Sequence, residues 1–76
     1  MTDTKELDRV IQESGLRKSY IAGILGISLY SFQMKRENKR QFTAEQIKIL
    51  CEVLNIKSLR EKERIFFANN VDNMPT

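Results

Sequence analysis

Residues 18–37 read KSYIAGILGISLYSFQMKRE, and this stretch predicts a helix, a tight turn and a second helix. Gly26 lies in the middle, and glycine readily ends a helix because it adopts a positive φ without a steric cost. Ser28 follows as a favourable N-cap, since its hydroxyl accepts from the free amides of the next helical turn. Two short helices packed at a steep angle would bury the apolar side chains around the turn: Ile21, Leu25, Ile27 and Phe32. We therefore predict helices over 18–25 and over 29 to 36 or 37.

Three further helices are indicated by pairs with capping-box spacing, which are Asp3-x-x-Glu6, Thr43-x-x-Gln46 and Ser58-x-x-Glu61. Apolar residues at helical spacing follow the first two pairs, and they are Leu7, Val10 and Ile11, then Ile47, Leu50, Cys51 and Leu54. In the last of these helices, Leu59, Ile65 and Phe66 are available for packing. Gly15, Asn38 and Asn55 stand where three of the helices should end. Residues 69–76 are polar and aperiodic, which predicts a flexible C-terminal tail. The sequence thus predicts an all-α fold of five helices over residues 1–68.

Size and composition limit the classes of function. Seventy-six residues make one domain, with no room for a substrate pocket beside the core. Histidine is absent, and no Gly-rich phosphate loop or nucleophile elbow is present, so we reject an enzyme and expect no small-molecule substrate and no cofactor. The net charge of +3 tilts toward a polyanionic partner without establishing one.

The cysteine count and the hydropathy pattern bear on the compartment. Cys51 is the single cysteine, so an intramolecular disulfide and the common zinc arrangements are excluded, and we expect no metal site. We expect Cys51 to be a buried and inert thiol. The N-terminal residues have no apolar signal region, and the longest apolar run, 20–27, is far shorter than a membrane span. The expected location is the cytoplasm of a bacterial host, with no membrane contact.

The central motif resembles the helix-turn-helix of the Cro and lambda-type repressor family. The matching residues are Ile21-Ala22-Gly23-Ile24-Leu25-Gly26-Ile27-Ser28, with Phe32 as the buried anchor of the next helix. The resemblance covers residues 14–40, about a third of the chain. It implies a five-helix, lambda-repressor-like DNA-binding domain. The segments 41–43 and 65–68 further resemble small phage-borne members, which implies a regulator of a lysis-lysogeny switch.

The resemblance also implies which residues contact a partner. It assigns base reading in the major groove to Leu29, Tyr30, Gln33 and Met34, at the start of the recognition helix. Gln33 is suited to adenine, but leucine and methionine offer only apolar contact to thymine methyls, so this surface also suits a protein. A third interpretation is that Leu29 and Met34 only shield the core.

Basic residues lie on both sides of this helix. Arg17 and Lys18 occupy the places where the family has a cap and a phosphate-contacting glutamine. Lys35, Arg36, Lys39 and Arg40 form a second cluster, which we expect to grip phosphates rather than to be a solvated loop. The predicted DNA- or partner-binding set is therefore Arg17, Lys18, Leu29, Tyr30, Gln33, Met34, Arg36, Lys39 and Arg40.

Two functions remain open from the sequence. The first is a transcriptional regulator of the Cro and repressor class that binds double-stranded operator DNA. The second is an antirepressor or modulator, which uses the same surface to form a heterodimer with a phage repressor and blocks or alters that repressor's DNA binding. We expect no separate dimerisation domain, so a weak homodimer of the chain would have to form through the fifth helix, the tail or the DNA itself.

Overall fold

The computed structural model describes residues 1–68 and contains five α-helices. They are α1 (Thr4–Ser14), α2 (Lys18–Leu25), α3 (Leu29–Arg36), α4 (Ala44–Val53) and α5 (Leu59–Phe66). No strand occurs within these residues, so the predicted all-α class and the five helices are confirmed. The predicted C-terminal tail, residues 69–76, lies outside the described residues. In packing, α2 contacts both α3 and α4, and α1 contacts α5.

Side-chain caps begin four of the five helices, because Asp3, Ser28, Thr43 and Ser58 each accept from the backbone amide three residues on. Of the three predicted capping boxes, Thr43–Gln46 is complete, with Thr43 N donating to Gln46 Oε1 over 3.0 Å. The Glu6 carboxylate instead accepts from Arg9, so the α1 box is only half formed. Arg17, at the N-cap of α2, makes no side-chain cap bond.

Left-handed residues end the helices where the sequence predicts it. Gly15 and Gly26 have φ of 76° and 75°, and Asn38 and Asn55 have φ of 67° and 61°. Asparagine tolerates this conformation better than other side-chain-bearing residues because its short polar group bonds locally. After Asn55 the chain reverses, and the Ile56 amide donates to the Cys51 carbonyl over 2.8 Å.

One apolar core joins the helices. Its members, all at most 9% exposed, are Leu7, Val10, Ile11, Ile21, Ala22, Phe32, Phe42, Leu50, Cys51, Leu54, Ile56, Ile65 and Phe66. Phe42 links α3 to α5, because its ring centroid lies 5.9 Å from that of Phe32 and 6.1 Å from that of Phe66. Aromatic pairs at this distance add about 1 kcal/mol beyond their area burial. Cys51 is buried as expected, and burial raises the pKa of its thiol.

The segment before α1 connects the ends of two helices. Thr2 N donates to Asn38 Oδ1 over 2.8 Å, and Asn38 Nδ2 donates back to the Thr2 carbonyl over 2.7 Å. Asp3 N donates to the carbonyl of Ile65 in α5 over 2.6 Å. The end of α3 is therefore tied through this segment to α5.

The apolar residues in and next to α5 differ in how far they are exposed. Phe66 is 3% exposed whereas Phe67 is 59% exposed, so one ring of the adjacent pair is buried. Of the three apolar residues available for packing in this helix, Ile65 and Phe66 are buried, whereas Leu59 is 70% exposed. Leu59 is the first residue of α5, and although it lies two turns before the buried Phe66 on the same side of the helix, it is left in solvent.

We predict opposite effects of alanine at two glycines of α2 and its turn. Gly23 is helical with open space around its α-carbon, so Gly23→Ala should stabilise the domain by about 1 kcal/mol and raise Tm by roughly 4–8 °C. Gly26 has φ +75°, so Gly26→Ala should destabilise it by about 1–2 kcal/mol. Thermal unfolding followed by circular dichroism measures both. If both substitutions raise Tm, or both lower it, the backbone conformations assigned to Gly23 and Gly26 are contradicted.

Candidate interaction surface on α2 and α3

The turn between α2 and α3 is fixed by the backbone. Gly26 ends α2 in the left-handed conformation, and the Ile27 amide donates to the Ala22 carbonyl over 3.0 Å. Ser28 Oγ then accepts from Ser31 N over 3.0 Å and begins α3. Phe32, which is fully buried, holds one side of α3 against the core. The first residues of α3 are consequently presented on the outer side.

Four large apolar or aromatic side chains are exposed on these two helices, and we name them the α2–α3 face. On α3, Leu29 is 42% and Tyr30 is 65% exposed. On α2, Tyr20 is 57% and Ile24 is 39% exposed. Tyr20 and Ile24 are four residues apart and share one side of the helix. Tyrosine is enriched among residues that dominate binding energy at protein interfaces.

The sequence segment that contains the α2–α3 face carries no charge. Every residue from Ser19 to Met34 is uncharged, although 30% of the whole chain is charged. Charged residues appear only beyond the two ends of this run, at Arg17 and Lys18 before it and from Lys35 onward after it. Because DNA binding depends on cations that neutralise phosphates, such a run is unusual for the centre of a DNA-contacting surface.

Arg36 occupies a different environment from the other predicted contact residues. It is 9% exposed, and its Nη1 donates to both oxygens of Asp8 in α1, over 2.8 and 2.9 Å. Its Nε and Nη2 donate to Gln33 Oε1 over 3.1 and 2.8 Å, and Nη2 also approaches Glu37 Oε2 at 3.3 Å. The guanidinium is engaged on all its edges, so Arg36 holds α3 to α1 and is not free to contact a phosphate.

Gln33 is affected directly by this arrangement. Its side chain is half-buried, and its only oxygen accepts twice from Arg36. Bidentate recognition of adenine needs the amide oxygen and the amide nitrogen together. While the oxygen is held by Arg36, Gln33 can offer only its nitrogen.

The remaining predicted residues divide by exposure. Arg17, Lys39 and Arg40 are exposed, whereas Lys18 and Met34 are half-buried. Lys39 Nζ lies 3.8 Å from Glu37 Oε1, a contact of two exposed groups that contributes little. Lys35 is half-buried and donates from Nζ to the Gln41 carbonyl over 3.0 Å, as expected for a side chain whose stem covers the core.

Three residues of this region were not selected from the sequence. Tyr20 and Ile24 were missed because the resemblance assigns contacts to α3, and their four-residue spacing alone does not distinguish an exposed pair from a buried one. Asp8 could not be selected, because its partner Arg36 is 28 residues away and no local pattern connects them.

Comparisons with other proteins give no assignment: the chain matches no protein-family model, no curated protein and no solved structure. Among residues 1–68, no three side chains of His, Cys, Asp or Glu come together as ligands for a metal ion. Each helix of this described part is too short or too polar to cross a membrane.

We predict that the Asp8–Arg36 pair couples α1 to α3. Asp8→Ala should destabilise the domain by about 1–2 kcal/mol, because it leaves a buried guanidinium short of a carboxylate. A double-mutant cycle with Arg36→Met, measured by urea unfolding, should give a coupling energy of about 1 kcal/mol. Glu13→Ala is the control, since it removes an exposed carboxylate of α1 paired with Arg9 and should cost less than about 0.5 kcal/mol. Equal effects of the two substitutions would show that Arg36 does not depend on Asp8.

Proposed function

We propose that this chain is a helix-turn-helix regulator of a phage-type lysis-lysogeny switch, with a lambda-repressor-like domain in which α3 is the recognition helix. Two observations support the proposal. The motif from Ile21 to Ser28 resembles the Cro and lambda-type repressor family. The left-handed Gly26, the Ser28 cap and the buried Phe32 then stand at the turn, the start of α3 and its anchor, as that motif requires.

We further propose that the regulator acts as an antirepressor or modulator, by binding a partner repressor through the α2–α3 face. The observation that carries this choice is the chemistry of α3. Its most exposed side chains are Leu29 and Tyr30, and the oxygen of Gln33 is occupied by Arg36. Such a helix has few groups that distinguish base pairs, but it has the apolar and aromatic groups that protein interfaces bury.

The mechanism follows from mutual exclusion. When the α2–α3 face covers the DNA-reading surface of a repressor, that repressor and its operator can no longer meet. The apparent affinity of the repressor for DNA then falls by the factor 1 + [L]/Kd, where [L] is the free concentration of this chain and Kd describes the protein complex. This mechanism does not require dimerisation of the chain, because the complex needs only one face of one copy.

A direct DNA-binding regulator of the Cro class is the second candidate, and the exposed basic residues favour it. Arg17, which precedes α2, and Lys39 and Arg40, which follow α3, are exposed. In that arrangement α3 enters the major groove, the basic residues contact flanking phosphates, and Tyr30 and Leu29 make the base contacts. Phosphate contacts fix the position of a protein on DNA without reading its sequence.

For the antirepressor, we predict that Leu29→Asp and Tyr30→Asp each abolish a 1:1 complex with the helix-turn-helix repressor encoded beside this chain's gene. A carboxylate in the centre of an apolar interface loses its hydration without gaining a partner. Size-exclusion chromatography with light scattering measures the complex. Leu59→Asp is the matched control, because Leu59 is 70% exposed on α5 and its substitution should leave the complex intact. If Tyr30→Asp binds the repressor as tightly as the wild type does, the α2–α3 face is not the binding surface.

For direct DNA binding, we predict that the chain retards the operator-containing duplex next to its gene and that binding weakens with salt. Lys39→Gln and Arg40→Gln should each lower the slope of log K against log[salt] by about 1. Fluorescence anisotropy over a series of salt concentrations measures the slope. Absence of binding, or equal binding to a scrambled duplex, would leave the antirepressor as the remaining candidate.

A further inference from the structure

The orientation of the Gln33 amide follows from the chemistry of Arg36. A guanidinium carries five N–H donors and no acceptor, so only the oxygen of a carboxamide can face it. Gln33 Oε1 lies 3.1 Å from Nε and 2.8 Å from Nη2 of Arg36, which matches the fork of two adjacent donors. The guanidinium is itself fixed from the other side by both oxygens of Asp8.

This orientation determines which hydrogen bonds Gln33 can still make with a partner. The two lone pairs of Oε1 are used by Arg36, and within residues 1–68 Nε2 donates to no group. Nε2 is therefore the end of the amide that is left for a visitor. The side chain acts as a hydrogen-bond donor and not as an acceptor.

The basic residues that flank α2 and α3 in the sequence are also hydrogen-bond donors. Arg17, Lys39 and Arg40 are exposed donors with a positive charge, and Lys18 is a half-buried one. The two carboxylates that contact this cluster are already paired, because Asp8 accepts from Arg36, and Glu37 lies within 3.3 Å of Arg36 and 3.8 Å of Lys39. A partner protein that binds here would therefore contact the apolar α2–α3 face, the Nε2 donor of Gln33 and a cationic rim, by which we mean Arg17, Lys18, Lys39 and Arg40.

We infer that Gln33 is a specificity residue that binds a carboxylate on the partner protein, at the border between an apolar patch and an acidic rim. The inference rests on the proposed antirepressor function and names the chemistry of its partner. A carboxylate satisfies an amide donor and is attracted by the cationic rim, whereas a partner that presents donors would leave Nε2 unpaired.

The decisive variant is Gln33→Glu. Glutamate keeps a charge-assisted bond to Arg36, so the domain should unfold at the same or a higher temperature, but the outward donor becomes an acceptor. We expect Kd for the repressor encoded beside this chain's gene to rise at least tenfold in isothermal titration calorimetry. Gln12→Glu is the control, because it adds the same charge at an exposed position of α1 and should change Kd less than twofold. Binding of Gln33→Glu within twofold of wild type overturns the inference.

Rescue identifies the partner's group. Each surface Asp and Glu of that repressor is replaced in turn by Asn or Gln, and one replacement should restore binding to Gln33→Glu while weakening binding to wild type. If no replacement does so, the acceptor is not a carboxylate and the inference fails.

A measurement without any partner separates this inference from the proposed function. In ¹⁵N NMR spectra at neutral pH, the Arg36 Nε–H should exchange with water much more slowly than that of free arginine, and Gln33→Leu should remove the protection. If the Arg36 Nε–H of the wild type exchanges as fast as that of free arginine, the Gln33 oxygen does not face Arg36, and the inference fails. Slow exchange combined with no binding of the repressor would instead refute the antirepressor function, and with it the carboxylate partner.

Discussion

The burial of Phe32 is the constraint on which the working surface depends. An isolated helix of eight residues is not stable in water, so α3 exists because its inner side is held by the core. Phe32 is fully buried and its ring meets that of Phe42, which in turn meets Phe66 of α5. The buried ring of Phe32 fixes which side of α3 faces the core. With α3 held in this orientation, Leu29 and Tyr30 are exposed to solvent.

Arg36 complements this anchor at the other end of the same helix. The apolar contact of Phe32 determines which side of α3 faces inward, and the bonds from Arg36 to Asp8 hold its last turn against α1. Thr4 Oγ1 also donates to the Arg36 carbonyl over 2.6 Å, and Asn38 bonds Thr2 just beyond the helix. The C-terminal end of α3 is thus held by polar contacts, whereas the exposed N-terminal end has only its Ser28 cap.

The sequence predicts local features of this fold well. Helix ends at Gly15, Gly26, Asn38 and Asn55 and the caps at Ser28 and Thr43 are set by interactions within a few residues, so their signals are visible in the chain. Features that depend on residues far apart are not visible. Arg36 reads as one member of a basic cluster, and its burial results from Asp8, which approaches only after α1 and α3 have packed. Leu59 has the apolar character of a core residue, but it is the first residue of α5, and its exposure depends on where that end of the helix lies relative to the core.

The division of α3 into an anchored side and an outer side separates stability from recognition. Phe32 and Arg36 make the contacts that hold the domain, while Tyr30 and Leu29 project from the same helix with much of their surface in water. Substitutions at the outer positions should therefore change the free energy of unfolding very little. If the proposed function holds, exchanging a few of these side chains should change the binding target without unfolding the domain, and the same side chains placed on another scaffold of this shape should bind the original target.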